Sequence, residues 1–240
     1  MQSRYPANET WSWCPMDTKA RYQRNRAERP DDVHRHGWWE HDPFDYRFNA
    51  QGFRADEFDP GPGTLYLGCS YTLGIGLPYA DTWARQVSDA LGTACWNLAQ
   101  GGGSMDTCFR LAEHWIPRLK PTRVMLMSTT PARLELIDAG GVPRLYSVHG
   151  ASPGAQEWLG HDENIRLNHL KNRWAIQQIC RQEHIPFHEW SMLCLDQIKS
   201  SLARDLTHPG KTAHKMFAKT VLRDIDAHGI DDDKAQIDHH

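Results

Sequence analysis

From residue 64 onward the chain alternates short apolar runs with longer stretches of helical periodicity. Thr64–Cys69 has the length and composition of a buried strand. Asp81 predicts an N-cap, with Trp83, Val87, Ala90 and Leu91 following on one helical face, and Gly92 suits the residue that closes that helix. Ala94–Leu98 predicts the next strand. Ser104 predicts the cap of a second helix, in which Cys108, Leu111, Ala112, Trp115 and Ile116 recur at helical spacing. Arg123–Met127 predicts a third strand. Residues 130–160 are rich in Gly and Pro and predict a long loop or lid. A long helix is expected over Asp162–Glu183, with Ile165, Trp174 and Ile179 among its apolar positions, and Ile185–Trp190 supplies another strand. The last helix starts near Pro209, a residue tolerated in a first turn, and uses Ala213, Met216, Phe217 and Val221 as its inner face.

Strands alternating with helices predict an α/β fold: three layers, α/β/α, around a doubly wound, mostly parallel sheet of flavodoxin-like kind. In such sheets functional groups collect at the carboxyl ends of the strands. Residues 1–60 differ. They are rich in Trp, Arg, His and Asp with little periodicity, and predict an irregular N-terminal extension that wraps the domain or covers its site. Within it, Tyr46–Arg54 alternates aromatic and polar residues around a turn at Gly52. The domain proper is expected over 61–228, and 229–240 reads as a disordered tail.

Composition narrows the function classes. The 240 residues carry a net charge of -3 with histidine neutral, so no basic field points to nucleic acid. The longest apolar runs, such as Val124–Met127, fall far short of the roughly 20 residues a membrane span needs. No signal peptide is visible, which predicts a soluble, cytoplasmic protein. The six cysteines show no CxxC spacing and are read as reduced, buried thiols. His34, His36 and His41 lack the spacing of a metal site, so no metal and no cofactor are implied.

Three stretches carry chemistry. Gly68-Cys69-Ser70-Tyr71-Thr72-Leu73-Gly74 follows the first strand and puts Ser70 at a strand-to-helix turn, where a nucleophile's backbone N–H can also help hold an oxyanion. In Asp205-Leu206-Thr207-His208-Pro209 a carboxylate three residues ahead of a histidine can reach Nδ1, fix the tautomer and leave Nε2 as general base. An N-capping Asp beside a surface His is the plainer alternative. Asn97-Leu98-Ala99-Gln100-Gly101-Gly102-Gly103-Ser104 offers free backbone N–H groups to a negative charge, although a flexible loop would look the same. Cys69 is expected to turn its side chain into the interior rather than act as a thiol nucleophile.

The order and placement of these stretches resemble the SGNH/GDSL hydrolase family over roughly residues 64–225. The resemblance implies a serine esterase of carboxylic esters, often O-acetyl groups on carbohydrate, short acyl esters or lipids. Ser70 matches the nucleophile, Asp205 and His208 the Asp-x-x-His block, and Gly102 the glycine whose N–H serves the oxyanion hole. Cys69 stands where the family has Asp. The family's Asn after the third strand is missing: the chain reads Ser128-Thr129-Thr130-Pro131-Ala132-Arg133, with Thr130 at the Asn position. Thr129, Thr130 or Arg133 is expected to supply the lost oxyanion donor. A carbohydrate-binding or structural module without turnover, on the pattern of related domains in phage-associated proteins, and an acyltransferase are the alternatives. The tryptophans Trp11, Trp13, Trp38 and Trp39 suit either sugar stacking or pinning the extension to the domain.

Overall fold

The computed structural model of the protein describes residues 3–40, 43–147, 153–198 and 200–227. The elements of the extension are β1 (Thr10–Trp11), α1 (Lys19–Glu28), α2 (Pro30–Arg35) and β2 (Tyr46–Arg47). There follow β3 (Gly63–Leu67), α3 (Ser70–Leu73), α4 (Trp83–Leu91), β4 (Ala94–Asn97), α5 (Met105–Leu119) and β5 (Arg123–Ser128). The chain continues through β6 (Arg133–Ile137), β7 (Pro143–Ser147), α6 (Pro153–Leu159), α7 (Asp162–Gln182), β8 (Phe187–Ser191), α8 (Met192–Gln197) and α9 (Lys211–Ala227).

The apolar runs form a four-stranded, all-parallel sheet in the order β4-β3-β5-β8. Because side chains alternate along a strand, each run serves both faces. Leu65, Leu67, Val124 and Leu126 pack against Leu111, Ala112 and Ile116 of α5 and Ile176 and Cys180 of α7. Tyr66, Met125 and Met127 pack on the opposite side against Trp83 and Val87 of α4 and Ala213, Phe217 and Val221 of α9. This is the expected three-layer α/β fold. The chain leaves β3 for one edge and returns to β5 on its other side, so the carboxyl ends of β3 and β5 flank the switch point, where open α/β sheets build their sites.

Several local expectations are corrected. Thr82, not Asp81, caps α4: its side chain accepts from the Arg85 N–H, while Asp81 lies in a short 3-10 turn. Residues 130–160 are not a long loop, because β6 and β7 pair as an antiparallel hairpin and α6 follows. The hairpin turns on Asp138, whose Oδ1 accepts from the N–H groups of Gly140 and Val142 at 2.9 Å each. Trp174 of α7 points outward at 59% exposure, and Asn168 and Asn172 take inner positions. They face α5 because the Asp106 carboxylate accepts from both amides, at 2.9 and 2.7 Å. Met216 likewise lies outward on α9, at 47% exposure.

The extension holds more regular structure than its patterning suggests. Thr18 caps α1 through the Arg21 N–H, and Pro30 opens α2, which carries Asp31 and Asp32 in its first turn. These helices escape a hydrophobic reading because α1 buries Asn25 and α2 buries Val33 alone. Gly52 is indeed in a left-handed turn, at φ 80°. His41 and the tail 229–240 lie outside the described residues. Among the described residues, no helix is long and apolar enough to cross a membrane.

Candidate active site

Ser70 opens α3 at the carboxyl end of β3, with Cys69 before it in extended conformation. The turn is tight enough to require Gly68: a Cβ there would lie 2.3 Å from Thr72 Oγ1. Ser70 keeps 7% exposure and Cys69 none, so the thiol is shut in the interior while the serine retains a small opening. As the first helical residue, Ser70 has a backbone N–H with no intrahelical acceptor. The carboxyl end of this short helix is held by Arg54 of the extension, whose Nη1 donates to the carbonyls of Leu73 (3.1 Å) and Gly74 (2.7 Å).

Asp205 and His208 meet as their spacing requires. His208 Nδ1 lies 2.6 Å from Asp205 Oδ2, while Asp205 Oδ1 accepts from the N–H groups of Thr207 and His208 at 3.0 Å each. Burial pushes the Asp205 carboxyl up, but the hydrogen bond and charge of His208, with these two N–H groups, hold it below the usual carboxylate range. The Asp205 carboxylate is thus placed to accept a proton carried on His208 Nδ1, the arrangement that turns Nε2 away from it. Nε2 has no partner among the described residues. Its ring sits edge-on to Tyr71, centroids 5.7 Å apart, so the residue after Ser70 touches the histidine. No hydrogen bond within 3.5 Å joins Ser70 Oγ to His208. In unliganded sites such contacts are often long and tighten when substrate binds.

Gly102 lies in the loop after β4, in left-handed conformation at φ 72°. Its neighbours' N–H groups are occupied: Gly101 donates to Tyr5 Oη (3.0 Å) and Gly103 to the Gln100 carbonyl (2.9 Å). The Gly102 N–H has no acceptor among the described residues. Leu145 of the β6–β7 hairpin lies over this glycine, 3.8 Å from where its Cβ would be.

Beyond the end of β5 the three candidate donors part. Thr130 is half-buried and makes no hydrogen bond among the described residues. The preceding Thr129 is the buried one, and its hydroxyl has no partner. Arg133 donates through Nη1 to the Gly103 carbonyl at 3.3 Å, so its guanidinium lies beside the glycine loop. Sequence reasoning gave Tyr71, Tyr5 and Arg54 no individual role, although Tyr71 stands beside Ser70 and Arg54 closes the Asn49–Arg54 stretch that is similar to segments of some SGNH/GDSL enzymes.

The aromatic residues of the extension make contacts within the molecule, some of them half-buried. Trp38 is 1% exposed, and its Nε1 donates to the Leu202 carbonyl at 2.8 Å. Trp13 lies under the Arg204 guanidinium and Trp39 under that of Arg26, at 4.0 and 4.2 Å. Trp11 packs against Tyr5 and Phe48. His34 stacks on Trp39, and His36 Nδ1 accepts from the Leu202 N–H.

No family model and no curated relative matches the chain. It is similar to solved structures of esterases and lipases. One is the psychrotrophic esterase EstA of Pseudoalteromonas sp. (14% identity, TM-score 0.38), covering 70% of this chain and 98% of that one. Another is a lipase/acylhydrolase of Enterococcus faecalis (14%, 0.37; 69% and 96% covered). A third is a GDSL-like lipase of Bacteroides thetaiotaomicron (10%, 0.32; 68% and 87% covered). At this distance the chemistry has to be read from the chain's own residues.

Proposed function

We propose that this protein is a serine hydrolase of carboxylic esters, acting through an acyl-enzyme on Ser70. The observation that carries the reading is the buried Asp205–His208 pair, joined at 2.6 Å with Nε2 left unpartnered beside the Ser70 turn. His208 Nε2 takes the Ser70 proton as Oγ attacks the acyl carbon. The negative oxygen that forms is held by the N–H groups of Ser70 and Gly102. His208 then gives its proton to the departing alcohol oxygen, leaving an acyl-serine. Water, deprotonated by the same ring, attacks that ester and regenerates Ser70 with release of the acid. Transfer to an alcohol instead of water would use the same residues.

Arg133 is the better substitute for the missing Asn donor. Its guanidinium already reaches the Gly103 carbonyl, whereas the Thr130 hydroxyl has no anchor that aims it. Loss of one such donor costs about 10²–10³ in rate, so Arg133→Ala should fall by that much and Thr130→Ala by less. An O-acetylated carbohydrate is one form the ester takes in this reading. Trp38 lends it no support, since its ring is buried.

The test is hydrolysis of p-nitrophenyl acetate and butyrate by wild type, Ser70→Ala and His208→Ala. Loss of activity in both variants is the expected result. Turnover that survives Ser70→Ala would sink the proposal, and a wild type inert on both esters would favour a binding module.

A further inference from the structure

The three stretches of the site come from distant parts of the chain; pairing of β3 with β4 brings the Ser70 turn and the glycine loop together, but the sheet does not hold the third. The Asp205–His208 turn lies between helices, on no strand. The extension contacts all three. Tyr5 Oη accepts from the Gly101 N–H, Arg54 binds the carbonyls that end α3, and Arg21 Nε and Asn25 Nδ2 donate to the Asp205 carbonyl at 3.1 and 3.2 Å.

At the centre of these contacts is a closed ring. Asp17 is fully buried. Its carboxylate accepts from Arg204 Nη2 and from the Tyr46 hydroxyl, each at 2.6 Å. The Tyr46 oxygen in turn accepts from the Gly76 N–H at 2.7 Å, and the Gly76 carbonyl accepts from the Arg204 N–H at 3.1 Å. Gly76 follows the nucleophile's helix and Arg204 precedes Asp205, so the ring spans the two halves of the proposed triad. The approach is close: a Cβ on Gly76 would lie 2.8 Å from that of Ala203. The Arg204 guanidinium is clasped between Trp13 and Phe44, at 4.0 and 3.9 Å.

The turn also needs outside support. Leu206, between the acid and the histidine, is left-handed at φ 54° without being glycine. Such a conformation persists only where its surroundings fix it. Its side chain is buried in a cluster with Val33 and Trp38 of the extension.

We infer that Asp17 and Tyr46 are positioning residues for this site: the ring they close with Arg204 and Gly76 sets the reach of His208 Nε2 to Ser70 Oγ. The inference rests on the hydrolase reading for its consequence in rate, but not for its geometry. A merely structural ion pair would lower the melting temperature and leave the chemistry of folded molecules unchanged.

Tyr46→Phe in the full chain removes one hydroxyl and keeps the ring packing. Its kcat on p-nitrophenyl acetate should fall on the order of 10²-fold, as for a misplacement of about 1 Å, with KM near wild type. Phosphonylation of Ser70 by a fluorophosphonate should slow in parallel. The far-downfield proton resonance of His208 Nδ1–H should shift or broaden. Asp17→Asn should act in the same direction, and if it does not fold, Tyr46→Phe decides alone. The inference is overturned if folded Tyr46→Phe keeps both wild-type kcat and an unshifted His208 resonance. A wild type without esterase activity would refute only the hydrolase reading. The His208 resonance, compared between wild type and Tyr46→Phe, then still decides the positioning: a shift supports it and identity overturns it.

Discussion

The sheet and the extension differ in the balance of what they bury. In β3 and β5 the interior is Leu65, Leu67, Val124 and Leu126 on one face and Tyr66, Met125 and Met127 on the other, all at 0% exposure. The extension also buries aromatics, but among its most enclosed groups are Asp17, Asn49 and Arg54, at 0 or 1%. Apolar burial is non-directional and scales with area, so it specifies which face turns inward and tolerates sliding. A hydrogen bond specifies a distance and an angle. The sheet thus provides the platform, and the extension fixes where the loops on that platform stand. A buried carboxylate bonded to a guanidinium is a poor way to add stability and a good way to hold a register.

That contrast predicts two variants of similar thermodynamic size and different kinetic consequence. Asp17→Ala leaves Arg204 buried without its partner and should cost about 3–5 kcal/mol. Phe217→Ala, a cavity between α4, α9 and the sheet, should cost about 3–5 kcal/mol as well. Urea unfolding measures both. Ester turnover per folded molecule should drop in the first and hold in the second; equal loss in both would erase the distinction between platform and collar.

His214 belongs to the platform but is polar. It is 1% exposed, with Nδ1 accepting from the Trp83 N–H at 3.0 Å. Burial, aided by the charges of His208 and Arg54, pulls its pKa from 6.5 to about 3. The unfolded ring binds a proton below about 6.5 and the folded ring does not until about 3, so stability should fall as pH drops through that window. The slope is at most about 1.4 kcal/mol per pH unit. His36, His114 and His169, also lowered by burial, act with the same sign. Asp205, held low, keeps its contribution above the ordinary carboxylate range and loses it only as pH falls through its own depressed value. His214→Gln should flatten the upper part of the curve, measured as midpoint denaturant concentration against pH; an unchanged slope would deny the buried neutral ring.

Smaller effects test the corrected local readings. Thr82→Ala removes the cap of α4 and should cost about 1 kcal/mol. Asp81→Ala loses only a surface ion pair with Lys211 and should cost less. Trp174→Ser should stay within about 0.5 kcal/mol of wild type despite the size of the side chain, because the ring is exposed.

Much of this fold was legible in the chain. The strands at 64, 94 and 123 and the helix capped by Ser104 are local patterns, and the Ser104 cap forms as read, reciprocated by Thr107. Asp-x-x-His was legible because three residues suffice to close that turn. The hairpin at 133–147 was hidden by its Gly and Pro content, although Asp138-Ala139-Gly140-Gly141 marks its turn. Trp174 and Met216 misled because an apolar residue near a helical stripe reads as inward, while Asn168 and Asn172 turn inward only to meet Asp106.

By itself the sequence determined the layers, their order, and the residues with chemistry to offer, because backbone periodicity and short turns are written over a few neighbouring positions. Only the tertiary structure decided that Asp17 would meet Arg204 across 187 residues, that Tyr5 would occupy the Gly101 N–H, and that Arg133 would come to the glycine loop. Each of those is a single polar contact without period or spacing, and a single contact leaves no pattern until the chain has folded around it.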